Sequence, residues 1–334
     1  MLRYILLVLI KCVERVFRPR DFVLTSDGLV FAVTSYVHPP GFVLGFLRFV
    51  PSNGGFKKLG TTRESYQYLQ KHHPELLHPS KESDALLQAI PMKKIKRIMR
   101  PDEFLRKLKP EDEIKVSLLT LSTMISCVSG VNFRRFGATG SVLIGASNKK
   151  SDIDLVVYGM HEFNQVRDSI ASLKRLGVIA EPSGLEWRER YERRLPSREL
   201  SFKEYVWHEK RKFNYGVFRG RRFDLLYVRD YAEMKKTLEN ETYQKLGTTK
   251  VKAKITDDSK AFDYPARFKI ETPENPEIKE IACYTHTYTG QTQTGETVEA
   301  QGVLEKVQKG KKTWHRIFIG TGREAKGEYI KVVK

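Results

Sequence analysis

Apolar and polar positions alternate in three different rhythms along the chain. Near the start, Asp21–Thr25, Leu29–Tyr36 and Gly41–Val50 are rich in Val, Phe and Leu, and Gly, Pro, Asn and Ser separate them. Such runs read as strands joined by turns. Ser26-Asp27-Gly28 is a hairpin turn, and His38-Pro39-Pro40-Gly41 is a second break. Thr61 and Glu64 have the spacing of a capping box, which opens a helix to about Lys71. Residues 61–130 read mainly as helices, punctuated by Pro74, Pro79, Pro91, Pro101 and Pro110. Within them Met92–Arg100 carries Lys93, Lys94, Lys96, Arg97 and Arg100, a helix facing either phosphate or solvent. From Glu111 to Cys127 the apolar positions Ile114, Leu118, Leu121 and Ile125 recur with helical spacing, and Ser129-Gly130 ends the run.

After residue 130 the rhythm shortens. Val131–Phe136 reads as a strand, Gly137–Ser141 as a glycine-rich turn and Val142–Ala146 as a short helix. A polar loop, Ser147–Ser151, leads into a second strand over Asp152–Tyr158. Asp230–Leu246 reads as a helix and Gly247-Thr248-Thr249 as a hinge. The remainder alternates as strands: Lys250–Ile255, Ala266–Glu271, Glu280–Tyr288, Thr297–Gln308, Thr313–Gly320 and Tyr329–Val333. Breaks at glycine give this end the pattern of a small Greek-key barrel, similar to an OB-type barrel. The pattern predicts an α+β fold in four parts: a β unit over 1–60, a helical connector over 61–110, a mixed core over 111–246 and a β-barrel over 248–334. Residues 1–18 read as peripheral, either a first helix packed on the body or an upstream mis-assigned start.

The balance of charge narrows the partners. The chain has 334 residues and a formal charge of +19, a field that attracts polyanions. The basic residues concentrate over 187–222, which hold 12 Arg or Lys against five Glu, a net of 12 − 5 = +7. Trp187, Tyr191, Phe202, Tyr205, Trp207, Phe213, Tyr215 and Phe218 are interleaved with them. Cations that grip phosphates and rings that stack on bases make a nucleic-acid track. The competing arrangement is a pair of amphipathic helices with rings inward and charges solvated. The track would use Arg193, Arg194, Lys210, Arg211, Lys212, Arg221 and Arg222. No apolar run approaches a membrane span, and three scattered cysteines (Cys12, Cys127, Cys283) point to a reducing, cytoplasmic setting. His72, His73 and His78 lack the partners of a zinc site.

Chemistry gathers at Asp152 and Asp154. Two residues apart on a strand, both carboxylates leave from one face while Ile153 and Leu155 enter the core. Their repulsion is tolerable beside a divalent cation. Gly140-Ser141, just upstream, offers backbone N–H groups and a hydroxyl for phosphate.

Gly140-Ser141, ten residues, then Asp152-Ile153-Asp154-Leu155 resembles the signature of nucleotidyltransferases of the DNA polymerase β superfamily. Gly145, four residues after the serine, and Ser151, before the first aspartate, share the register of the minimal members. The four-part layout also resembles archaeal-type nucleotidyltransferases. One departure is Ile144, where those small enzymes often carry Arg. The resemblance implies a nucleotidyltransferase core and a third carboxylate on a later strand, for which Asp224 in Phe223-Asp224-Leu225-Leu226-Tyr227-Val228 fits. Asp230 reads rather as a helix cap. It implies Mg²⁺ or Mn²⁺ at Asp152, Asp154 and Asp224. It also implies a nucleoside triphosphate such as ATP held by Gly140 and Ser141, with Lys149 and Lys150 beside it. The reaction implied is transfer of a nucleotide to a nucleic acid, RNA before DNA by analogy with tailing enzymes, with loss of pyrophosphate. Two alternatives stand beside it: an inactive nucleic-acid-binding protein on the same fold, and transfer to a protein or small molecule.

Overall fold

The computed structural model describes residues 16–235 and 241–333. The expectation of a peripheral first segment falls almost wholly outside the described residues. Three units follow one another.

In the first, Val, Phe and Leu alternate inward along β1 (Phe22–Thr25), β2 (Val30–Val33) and β3 (Phe42–Ser52), and β4 (Gly55–Lys58) folds back on β3. Helix α1 (Thr62–His72) starts where expected, with Thr61 Oγ1 accepting from the Glu64 N–H at 3.1 Å. The chain then departs from the helical connector predicted over 61–110. It forms β5 (Leu77–Ser80), β6 (Ala85–Pro91) and β7 (Ile95–Met99). These complete a sheet ordered β5-β6-β3-β2-β1-β7. The reason is tertiary. A short amphipathic segment has little helical preference of its own, and β7 pairs with β1 across the open edge from Phe22↔Met99 onward. The cluster Val23, Phe31, Val43, Leu47, Leu69 and Ile90 is buried beneath. The basic run Met92–Arg100 is therefore a turn and an edge strand, not a helix.

The second unit opens with α2 (Pro101–Lys107) and α3 (Glu113–Ser129). Ile114, Leu118, Leu121 and Ile125 face inward as their spacing predicts. Strand β8 (Phe136–Thr139), α4 (Gly140–Leu143) and β9 (Ile153–Tyr158) follow. Then come α5 (Met160–Arg175), α6 (Gly184–Arg194), α7 (Phe202–Lys210), β10 (Tyr215–Phe218), β11 (Arg221–Val228) and α8 (Tyr231–Lys235). The sheet is β10-β11-β9-β8, with β11 parallel to β9 and the other pairs antiparallel.

The third unit is all strand. Of the helix expected over 230–246, Tyr231–Lys235 is helical, and residues 241–246 belong instead to β12 (Glu241–Lys260). The expected hinge at Gly247 lies inside that strand, next to an irregularity in its pairing with β15 (Thr297–Lys309). Long-range pairing again overrides local preference. With β13 (Ala266–Glu271), β14 (Ile278–Cys283) and β16 (Lys312–Ile319) the strands close a ring β12-β13-β14-β16-β15-β12. The β14–β16 pair is parallel, and β17 (Tyr329–Val332) is added on β15. Helices α6 and α7 close one end of the ring. Trp187, Tyr191 and Tyr205 are buried in one cluster with Phe268, Tyr288 and Ile317. Among the described residues no helix is long and apolar enough to cross a membrane.

Candidate functional site

Strand β9 carries Asp154, and the register of the central sheet decides its neighbours. Asp154 pairs with Asp224 on one side and with Thr139 on the other. Residues at one level of adjacent strands project to the same face, so the sheet brings Asp154 and Asp224 together beside the bend after Thr139. Gly140 at that bend has φ +72°, and a side chain there would collide with Asp154 Oδ2. A residue without Cβ is required on both counts. Asp154 is half-buried. Burial, reinforced by Asp224, pushes its carboxyl up to about 6.

The other carboxylates have guanidinium partners. Arg190 of α6 grips Asp224 with both terminal nitrogens, at 2.7 and 3.2 Å, and donates through Nε to Glu209 at 3.1 Å. Glu209 in turn meets Lys212 Nζ at 2.5 Å, and Lys212 also donates to the Thr287 carbonyl at 2.9 Å. Burial alone would raise the Asp224 carboxyl, but Arg190 and Arg194 outweigh it and hold it down at about 2. Asp152 accepts from Arg222 Nε at 2.9 Å and lies 3.7 Å from Arg193. Asp230 instead caps α8, accepting from the Glu233 N–H and pairing with Arg135.

Among the described residues no three carboxylate, imidazole or thiolate side chains form a ready-made metal centre. The guanidinium groups explain this, since they lie among the carboxylates. Asp152 and Asp154 suit a hard divalent cation, because the charge of Asp152 bears on Asp154 and, among the described residues, Asp154 accepts from no donor. Asp224 as it stands does not, because both its oxygens are taken.

The basic segment resolves into different fates. Lys212 is 2% exposed and cannot meet a nucleic acid, a correction to the expected track. Arg211 pairs with Glu296 at 2.6 Å, Arg222 with Asp152 and Glu189, and Arg221 donates to the Lys149 and Ser151 carbonyls. Arg194 and Lys210 remain for a partner, with Arg193, which is half-exposed and reaches Asp152 only at 3.7 Å. Most of the interleaved rings are core: Trp187, Tyr191, Tyr205, Tyr215 and Phe218 are buried. Lys149 and Lys150 stand in solvent on the loop before Asp152.

Several residues at the site were not expected. Arg20, ahead of β1, has φ +82° and lies against the His286 imidazole of the barrel, while its carbonyl accepts from Thr139 Oγ1 at 2.8 Å. Arg20, Arg190, Arg194, Asp224 and His286 line one cavity. An arginine inside the apolar run of β3, Arg48, was the one available signal in the sequence.

With this geometry in hand, relatives can be compared. The uncharacterized protein MJ1086 of Methanocaldococcus jannaschii is 34% identical over 335 residues, spanning 94% of this chain and 98% of its own. The chain belongs to that protein's family. No protein-family model matches it, and no solved structure does.

Proposed function

We propose that the chain is a divalent-metal-dependent nucleotidyltransferase of the DNA polymerase β type. It would move a nucleotide from a nucleoside triphosphate to a nucleic acid, RNA in preference to DNA, and release pyrophosphate. One observation carries this: Asp154 and Asp224 share a level on adjacent parallel strands, against a glycine bend that only a residue without a side chain can make. The ring order and parallel pair of the third unit support an OB-like barrel.

Asp152 and Asp154 would hold the cation, Mg²⁺ or Mn²⁺, which supplies charge neutralisation for the phosphates and a more acidic acceptor hydroxyl. Ser141 would donate its hydroxyl to a phosphate oxygen. The acceptor oxygen bonds to the α-phosphorus as the bond to the bridging oxygen breaks and pyrophosphate leaves. The hydroxyl proton passes to solvent, since Arg190 holds Asp224 ionised. Arg193, Arg194 and Lys210 would meet the acceptor backbone.

The grip of Arg190 on Asp224 favours a second reading, a nucleic-acid-binding protein without transfer. Labelled nucleotides with Mg²⁺ or Mn²⁺ and a pool of RNAs separate the two. Label on RNA that disappears in Asp154→Ala and Asp152→Ala, with unfolding temperatures preserved, supports transfer. Tight, salt-sensitive binding without label supports the second reading, and label on protein overturns both.

A further inference from the structure

The geometry points to a clamp for a run of phosphates, built by all three units over the carboxylates: Arg20, Arg48 and Lys58 from the first, Arg194 from the second and Arg323 from the third. This inference rests on the nucleotide reading above, and it makes the first unit and the barrel part of the site.

The pieces meet by direct contacts. Lys58 lies at the end of β4, one residue before Leu59, whose N–H donates to the Arg48 carbonyl at 2.9 Å. From the barrel side, Arg323 Nη1 donates to the Gly60 carbonyl at 3.1 Å, and its N–H donates to Thr62 Oγ1 at 2.9 Å. Glu324 accepts from the Thr62 N–H at 3.1 Å, which locks that edge. Arg20 bridges to His286 and shares its cavity with Arg194 and Asp224.

Among the described residues, none of these five cations has a carboxylate within ion-pair distance. They instead feel one another. Burial and the nearby charges of Arg48 and Arg194 bring Arg323 down to about 10. Arg48 is lowered by burial, with Asp154 as its opposing charge. Crowded cations of this kind cost stability in the free protein. The positive φ of Arg20 is a further cost, of the sort that collects at binding sites. One phosphate brings only about two negative charges, too few to answer them. A run of phosphates brings more, and lies along a row of donors.

The test uses the full chain in EDTA, so that neither metal nor transfer enters. Tripolyphosphate binding is measured by calorimetry beside orthophosphate. Tight, salt-sensitive binding of tripolyphosphate with weak binding of orthophosphate is expected. Arg48→Gln, Lys58→Gln and Arg323→Gln should each weaken it about tenfold, and Asp154→Asn should tighten it. Lys58 is exposed, so that variant folds, and unchanged affinity in it overturns the clamp. Displacement by ATP assigns the phosphates to a free nucleotide, and displacement by a 5′-triphosphorylated oligonucleotide assigns them to a strand end; either supports the clamp. Equal displacement by a 5′-hydroxyl oligonucleotide overturns it, since the backbone alone would then suffice. Absence of transfer with these effects intact removes the transferase reading and leaves the clamp standing. Transfer without these effects does the reverse.

Discussion

At Arg190 a single guanidinium answers two buried carboxylates, Asp224 and Glu209, from a side chain that is 4% exposed. Removing one member of such a group is far more harmful than never having built it, because an uncompensated charge stays behind in a poorly solvated place. Arg190→Met should therefore cost about 3–5 kcal/mol in a denaturant titration. Arg190→Lys should recover only part of that, since an ammonium cannot match the two-nitrogen grip on Asp224. A loss under about 1 kcal/mol for the Met variant would mean that the carboxylates had found other partners or a proton. The strand positions of Asp154 and Asp224 were legible in the sequence, because alternation and an apolar surround are local properties, whereas Asp152, expected on the same strand, stands just ahead of β9. Arg190 was not. It lies on a helix 34 residues from Asp224, and nothing short of the packing of α6 on β11 selects it from the other cations of that segment.

Between elements, α7 is the piece that joins the site to the barrel, and His208 is its pin. The Nδ1–H donates to the Gln291 carbonyl at 3.0 Å, and Nε2 accepts from the Val332 N–H at 3.4 Å. The Nε2 bond requires the neutral ring, whereas the Nδ1–H bond survives protonation. Burial, helped by the charges of Lys212 and Arg211 and opposed by Glu209, pushes the imidazole down to about 4. The unfolded chain takes up the proton near the ordinary value of about 6.5. The stability that His208 contributes is then complete above that pH and is lost as pH falls toward 4, by about 3 kcal/mol in all. In His208→Asn, whose amide keeps the bond to Gln291, the unfolding temperature should fall less steeply between pH 7 and pH 4.5 than in the wild type. Parallel slopes would show that His208 does not carry the acid sensitivity. In the sequence this helix stood only within the competing arrangement to a nucleic-acid track, and nothing there showed what it packs against. The rings around it read equally as stacking platforms or as core, and only the barrel mouth decided for core. The same limit hid β5, β6 and β7. The partners that place them in the sheet, β3 for β6 and β1 for β7, stand far away in sequence, β5 joins only through β6, and their local composition resembles a broken helix.

For the molecule as a whole, the question is what makes three units behave as one, beyond the apolar clusters that the second unit shares with the barrel and with the first. Beside the site, one residue from each meets the others. The Arg229 guanidinium grips Asp263 of the barrel at 2.5–3.1 Å and lies over the Tyr36 ring of the first unit, 4.6 Å from its centre, while the Arg229 N–H donates to the Tyr36 hydroxyl at 2.9 Å. Asp263 is 4% exposed and Arg229 12%. An ion pair this dry is worth little against an apolar replacement, yet its loss on one side strands the other charge. No sequence pattern announces such a junction, since its members lie far apart along the chain and each alone reads as an ordinary loop residue. Arg229→Met should thus leave Asp263 uncompensated, lower the first unfolding transition by about 5 °C and split the calorimetric trace, as the barrel and the first unit lose their common partner. Arg229→Met combined with Asp263→Leu should restore most of the loss, because it removes the stranded charge. A single transition at the wild-type temperature in Arg229→Met would place the coupling elsewhere, at the Arg18–Asp102 pair or the Thr62–Glu324 contact. Failure of the double variant to recover would mean that the ring contact with Tyr36, which both variants lack, matters more than the charges.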